Sequence, residues 1–390
     1  MFPPKAPNTI EVIKILWQPW WVYVVSIGVV VVLTPIVRGL ANRWEIYDQP
    51  EGRLKPHAKP IPYLGGVAIF IAWMIPVLIW VIAGDNLYIR QVVAIVLGGA
   101  VLLILGLVDD LKQIKPSYRL FGQIAVAVGL FATGLQFKAI PPITIGGLTF
   151  FAPGSPEFIT AGLLIQIILI TGASNAINLL DGLDGLCSGV MAIIAVGFLL
   201  VATHIGAWAV PQWCADLVGL KYQFNELVIV LSLALTGAAL GFLLYNSIPA
   251  TIFLGDAGST FLGYLAAVLM ILFADKPGMA KWFLAGLMIM GLPIFDTGLA
   301  LVRRLRNKRP IFGGDRSHFY DQLVDRGLSV RMTVIVCYVL TILAVAIGVG
   351  TLVLRTRYMA IIYAIILVAA AVFAAVGGFI KVDSSSADSA

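Results

Sequence analysis

Runs of about 18 to 22 apolar residues recur between positions 20 and 380, separated by short polar breaks. Each run is long enough to carry a helix through hydrocarbon, since about 20 residues cover about 30 Å. Eleven helices are predicted, at 20–40, 64–83, 91–108, 119–137, 157–177, 186–205, 227–245, 257–274, 281–302, 331–354 and 358–380. The first is read as a retained span and not a cleaved signal peptide, because its apolar core is too long and no small-x-small site follows it. The segment 138–156, broken by Pro and Gly, reads as a short β-hairpin or loop. The loop 206–226, with Trp208, Trp213 and Tyr222, reads as an interfacial aromatic anchor. The expected fold is all-α, a polytopic membrane bundle of about 11 helices forming one domain over 1–390, with a disordered tail at 381–390.

Composition supports this solvent. The chain is 60% hydrophobic and 12% charged, against about 25% charged in a soluble domain. Its net charge of +6 does not imply nucleic acid, because the Lys and Arg residues lie in short loops and form no basic domain. They set orientation instead. With the N-terminus outside, the loops 41–63, 109–118, 178–185, 246–256 and 303–330 share one side with the C-terminus, and that side, with Arg38, Arg119 and Arg331 at the adjoining span ends, holds 17 of the 26 Lys and Arg residues. The positive-inside rule makes that side cytoplasmic. Cys187, Cys214 and Cys337 lie in separate segments without CxxC spacing, which supports neither a disulfide framework nor a zinc site.

The unusual acids fall on that same side. Asp109 and Asp110 end the third span, Asp181 and Asp184 follow the fifth, Asp256 opens the eighth and Asp296 lies in the ninth. Carboxylates grouped at a bilayer surface can hold Mg²⁺, which uses one or two of them plus substrate phosphates, or can serve as bases or a proton path. In NAINLLDGLDGL at 175–186, Asn178, Asp181 and Asp184 are three apart, so on a helical turn they would share a face. Gly182 and Gly185 there would let backbone approach an anionic diphosphate. Asn246 and Asp256 bracket a connection containing Pro249, and GDAGST then opens a span. Asp109 and Asp110 are adjacent, so their side chains diverge by about 100° and are expected to do different jobs. The first inner loop gathers Arg53, Lys55, His57 and Lys59 among prolines as an anchor or phosphate-binding arm, and the last holds Arg316, His318 and Asp321.

These stretches together resemble the polyprenyl-phosphate N-acetylhexosamine-1-phosphate transferase family. The resemblance rests on KPIPYLGG at 59–66, GLVDDLKQI at 106–114, NAINLLDGLDGL, YNSIPATIFLGDAGST at 245–260, PIFDT at 293–297 and DRSHF at 315–319. It implies a bacterial inner-membrane enzyme with a cytoplasmic cleft, Mg²⁺ as cofactor (Mn²⁺ as substitute), a UDP-sugar donor and an undecaprenyl-phosphate acceptor. The product would be UMP and a lipid-linked sugar diphosphate that starts a cell-surface glycan. Membrane lipids and a second copy of the chain are the further partners it allows. Carried onto this chain, the resemblance makes Asp256 and Asp181 metal ligands and Asp109, Asp110 and His318 catalytic. Lys59, Asn178, Asp184, Asn246 and Arg316 become substrate-binding residues. The chain departs from the pattern where many relatives read His-x-His-His and it reads His318-Phe319-Tyr320-Asp321. His318 is therefore expected to carry weight in the reaction and Tyr320 little. A secondary transporter is the alternative class, but its ionisable groups would sit near the midplane on broken helices, often in two related halves.

Overall fold

The computed structural model describes residues 18–48, 60–84, 88–146, 148–208, 220–275, 279–308 and 318–380. Among these residues the elements in chain order are α1 (Trp20–Arg43), β1 (Tyr47–Asp48), β2 (Ile61–Pro62), α2 (Gly65–Ala83), α3 (Ile89–Lys112), α4 (Pro116–Ala132), β3 (Ile143–Ile145) and β4 (Leu148–Phe150). There follow α5 (Pro156–Leu179), α6 (Leu186–Trp208), α7 (Leu220–Asn246), α8 (Gly255–Phe273), α9 (Ala280–Ile289), α10 (Gly291–Arg306), α11 (Phe319–Asp325), α12 (Val330–Gly350) and α13 (Thr356–Val376). The chain is a polytopic all-α membrane protein, with two antiparallel strand pairs among the described residues, β1 with β2 and β3 with β4. The second pair is the hairpin expected within 138–156. The tail 381–390 and most of the 206–226 loop, including Trp213, lie outside the described residues.

Two of the expected spans, at 119–137 and 281–302, are not single unbroken helices. Among the described residues nine helices are long and apolar enough to cross a bilayer, or ten when the bent pair α9 and α10 counts as one. The span expected at 281–302 breaks at Met290, where α9 and α10 meet at 71°. Pro293 lies just past the break and has no N–H to give the carbonyl four residues earlier, which removes a bond a continuous helix would need. The span expected at 119–137 contains only the 17-residue α4, about 26 Å long, which starts on Pro116. The residues from Thr133 to Pro142 are not helical, and Lys138 N donates to Ala274 O at 2.7 Å.

One helix forms the axis. The spanning window of α8 is 94% buried and that of α13 is 11% buried, so α8 is surrounded by protein while α13 presents its apolar surface outward. Small residues let α2 and α3 approach it: a Cβ on Gly66 would lie 2.4 Å from Gly258 N, and one on Gly106 would lie 2.4 Å from the Cα of Ala257. Some of the polar groups inside the bundle are paired, which lowers the cost of placing them in hydrocarbon. Tyr264 donates to Ile95 O at 2.9 Å, and Gln166 joins Ala127 O to Phe137 N. Gly255 opens α8 at the end of the bundle where α3 and α5 finish and α4 begins. Lys138 and Asp275 pair at the opposite end, at 3.0 Å.

Candidate active site

Several element ends converge around a cavity of about 580 Å³. Its lining includes Asp48, Asp109, Asp110, Asp181, Asp184 and Asp256, with Asn178 and Asn246. Five of the six acids singled out in the sequence therefore share one chamber. The sixth, Asp296, is buried elsewhere.

The adjacent pair divides its work. Asp110 turns to the start of α8, where its Oδ1 accepts from Asp256 N at 2.7 Å and its Oδ2 from Ala257 N at 3.2 Å. A helix N-terminus has unpaired N–H groups and a positive dipole end, so this carboxylate caps the helix that carries Asp256. Gly255 makes the approach possible. Its φ is +73°, and a Cβ there would lie 2.6 Å from Asp110 Oδ2. Asp109 turns to α4 instead: its Oδ1 accepts from Ile114 N at 2.8 Å and its Oδ2 meets Arg119 Nη1 at 2.5 Å.

Arg119 is the residue that sequence reasoning missed. It was counted only among the charges that set orientation, yet its guanidinium joins three elements. Nη1 reaches Asp256 Oδ2 at 2.9 Å as well as Asp109, and Nη2 donates to Asn178 Oδ1 at 2.9 Å. Asn178 closes the ring by donating from Nδ2 to Asp256 Oδ1 at 2.7 Å and to Ser259 Oγ at 3.0 Å. Asp109, Arg119, Asp256 and Asn178 thus form one hydrogen-bonded circuit linking α3, α4, α8 and α5. The only trace of this in the sequence is a lone Arg in the first turn of the next helix after the acidic pair.

The shared helical face expected for Asn178, Asp181 and Asp184 is corrected. Helix α5 ends at Leu179, so Asn178 is on its last turn while 180–185 form turns. Asp184 Oδ2 accepts from Ala250 N at 2.9 Å and holds the connection between α7 and α8. Asn246 is buried in the same connection, donating to Ile252 O at 3.1 Å and accepting from Ser188 Oγ at 2.8 Å. The carboxylate of Asp181 lines the cavity and has no hydrogen-bond partner among the described residues. Burial holds it well above the usual carboxylate range, reinforced by the charges of Asp256, Asp110 and Asp184.

A second pair at the cavity wall also went unnoticed in the sequence. The Tyr63 hydroxyl donates to Asp48 Oδ1, and burial followed by the Asp48 hydrogen bond raises the phenol's pKa. The β1–β2 ladder places both, with Tyr47 opposite Pro62 and Asp48 opposite Ile61. Phe253 N donates to Pro62 O and Gly65 N to Phe253 O, so this ladder is tied to the connection that precedes Asp256.

His318 stands behind the chamber. It is buried at the start of α11, with Nδ1 2.9 Å from Asp296 Oδ2, and does not line the cavity. Phe319 N donates to Asp296 Oδ1 at 2.6 Å. Lys59 and Arg316, together with Arg53, Lys55 and His57, lie outside the described residues.

An acidic chamber lies at one end of a helical membrane bundle, with the Arg119 guanidinium bonded to two of its carboxylates. Residues 92–274 match the model of glycosyl transferase family 4. The chain is 34% identical to the probable undecaprenyl-phosphate N-acetylglucosaminyl 1-phosphate transferase of Bacillus subtilis, over 82% of this chain and 80% of that protein. It is 30% identical to the decaprenyl-phosphate N-acetylglucosaminephosphotransferase of Mycobacterium leprae, over 78% and 76%. It is 32% identical to the phospho-N-acetylmuramoyl-pentapeptide-transferase of Citrifermentans bemidjiense, over 79% and 84%. The chain belongs to this family, the polyprenyl-phosphate N-acetylhexosamine-1-phosphate transferases. Membership in a family of transferases sets the transporter reading aside.

Proposed function

We propose that this enzyme transfers N-acetylglucosamine 1-phosphate from a UDP-sugar to undecaprenyl phosphate, with release of UMP. The observation that carries the reading is the carboxylate chamber with Arg119 as the cation joining Asp109 to Asp256. Such a site is matched to polyanions brought in with positive charge. The names of the relatives from Bacillus subtilis and Mycobacterium leprae supply the sugar phosphate and the lipid class.

The donor set fits Mg²⁺, with Mn²⁺ as a substitute. Among the described residues no three His, Cys, Asp or Glu side chains form a closed ligand set. Mg²⁺ does not need one, because it binds through one or two carboxylates and takes its remaining ligands from phosphate and water. Asp181, whose carboxylate has no partner among the described residues, and Asp256 across the chamber would hold it. When bound, the ion supplies charge neutralisation at the donor diphosphate.

The rest of the work belongs to positioning, as in other phosphoryl transfers. An oxygen of the acceptor phosphate attacks the β-phosphorus of the donor, the bond from that phosphorus to the bridging oxygen breaks, and UMP leaves with the bridging oxygen. A phosphate monoester loses its second proton near pH 6, so the acceptor is mainly a dianion at neutral pH without a protein base. Asp110 then acts by fixing the start of α8 and Asp109 by aiming Arg119. Asn178 bonds both Asp256 and Arg119 and so holds them together.

The excess of Lys and Arg on the chamber side supports a cytoplasmic chamber in a bacterial inner membrane, with the N-terminus outside and the C-terminus inside. Cys214 lies outside the described residues, while Cys187 and Cys337 are buried. An impermeant thiol reagent on intact cells should therefore mark Cys214 and spare a cysteine placed at Ser317. The activity is tested by incubating purified enzyme with Mg²⁺, undecaprenyl phosphate and a panel of UDP-sugars. UMP and lipid product in equal amounts, with UDP-N-acetylglucosamine the best donor, are expected. Absence of UMP with every donor would overturn the proposal.

A further inference from the structure

The turn that carries Asp181 and Asp184 is gripped from outside the chamber. Tyr320, in α11, donates its hydroxyl to Leu179 O at 2.8 Å, where α5 ends. Tyr338, in α12, donates to Gly185 O at 2.6 Å, where the turn gives way to α6. Each hydroxyl sits in a notch that a glycine leaves open. A Cβ on Gly182 would lie 2.2 Å from the Tyr320 hydroxyl oxygen, and one on Gly189 would lie 2.0 Å from that of Tyr338. Neither tyrosine lines the cavity.

The grip has a backing. The ring of Tyr320 stacks on that of His318, with centroids 5.6 Å apart and planes 9° from parallel, and His318 is held by Asp296 in α10. Carbonyls at a helix end lack intrahelical partners, so the bond at Leu179 supplies one from a distant part of the chain. Burial pushes the Tyr320 phenol up, keeping it a neutral donor through the working pH range. An imidazole at this position would be present in two charge states near neutrality.

We propose that Tyr320 and Tyr338 are positioning residues, a two-point clamp that fixes the turn bearing Asp181 and Asp184 relative to Asp256, and that the His318–Asp296 pair acts through Tyr320. The inference deepens the reading of the chamber as a cation and diphosphate site and rests on it for its effect on the reaction. Its effect on the turn stands without that reading. The clamp makes α10, α11 and α12 matter to the site although none of their four residues named here enters the chamber.

The test uses the full-length enzyme in detergent with Tyr320→Phe, Tyr338→Phe and the double substitution, which keep both rings and remove only the hydroxyls. Hydrogen exchange of peptides covering 180–186 is read first, with peptides from α3 as the internal control. Exchange at the turn should speed up by about three- to tenfold for each lost bond, in line with what one hydrogen bond contributes, while α3 stays unchanged. Mn²⁺ binding, followed by electron paramagnetic resonance, should weaken by a similar factor. The turnover number should fall about tenfold per substitution with the donor KM within about threefold, since the clamp aligns a carboxylate and does not touch the donor. Unaltered exchange and Mn²⁺ affinity in the double variant would overturn the clamp, as would a uniform rise in exchange along the whole chain. If the wild type neither binds Mn²⁺ nor turns over, the functional reading fails, and the exchange measurement still decides the clamp.

Discussion

Arg119 and Asp256 meet at 2.9 Å although 137 residues separate them, and the same guanidinium nitrogen also meets Asp109. The cation is largely enclosed, with 19% of its side chain exposed. One planar group thus serves two carboxylates and an amide. A lysine ammonium cannot span the same three acceptors from one position. Arg119→Ala should lower turnover about a hundredfold, and Arg119→Lys about tenfold with partial recovery of stability. Steady-state rates and melting temperatures of the purified variants check this. Equal loss in both variants would mean that the fork geometry is irrelevant.

Asp181 makes stability depend on pH in a defined direction. Its folded carboxyl is raised above the unfolded value of about 4, so between those two values the folded state binds more protons than the unfolded state. Stability contributed by this group is then present at low pH and lost as pH rises toward the raised folded value. Thermal melts without divalent cation should show a falling midpoint above about pH 4, recovered by millimolar Mg²⁺ and flattened in Asp181→Asn. A midpoint that does not respond to Mg²⁺ at pH 8 would remove Asp181 from the cation site.

Removing either proposed ligand should be felt in the rate. Asp256→Asn and Asp181→Asn should each reduce turnover at least about tenfold, and chelation should stop the wild type, because a hard cation requires ionised oxygen ligands. Asp256→Asn should be the more severe, since it also breaks the contacts to Arg119 and Asn178. Full activity in excess EDTA would contradict the assignment.

His318 separates resemblance from geometry. A group aimed at the donor phosphates would cost a large factor in rate when removed, whereas the imidazole here faces Asp296 and stacks on Tyr320. His318→Ala should destabilise the protein by about 1–3 kcal/mol through the weakened environment of Asp296, and reduce turnover about tenfold. Asp296→Asn should give a milder version of the same pattern. A hundredfold rate loss in His318→Ala at unchanged stability would place the imidazole on the substrate instead.

Much of this arrangement was legible before any coordinates. Hydropathy gave the spans because hydrocarbon imposes a length, and the five cavity acids could be grouped because helix ends on one side of a bilayer must face a common layer. What could not be read was side-chain direction. Arg119 looks like any interfacial cation until α4 is seen to begin beside α5 and α8. Asn246 lines the cavity, but nothing in the sequence shows that both ends of its amide are turned to Ser188 and Ile252. The three-residue spacing of Asn178, Asp181 and Asp184 implied a helix face, but the helix stops at Leu179. The break at Met290 was hidden by an apolar run that continues across it, and the Tyr320 hydroxyl bonds a carbonyl 141 residues away. Contacts of such sequence separation leave no local pattern.

In the proposed reaction phosphorus moves with the sugar, and isotopic labelling measures this directly. Purified enzyme should be given undecaprenyl phosphate, Mg²⁺ and UDP-N-acetylglucosamine labelled with ³²P at the β-phosphate, and then, separately, at the α-phosphate. The β-label should appear in the lipid fraction and the α-label in UMP, with both transfers abolished in Asp256→Asn. Recovery of the β-label in released UDP would mean that the sugar alone is transferred, and would contradict the account.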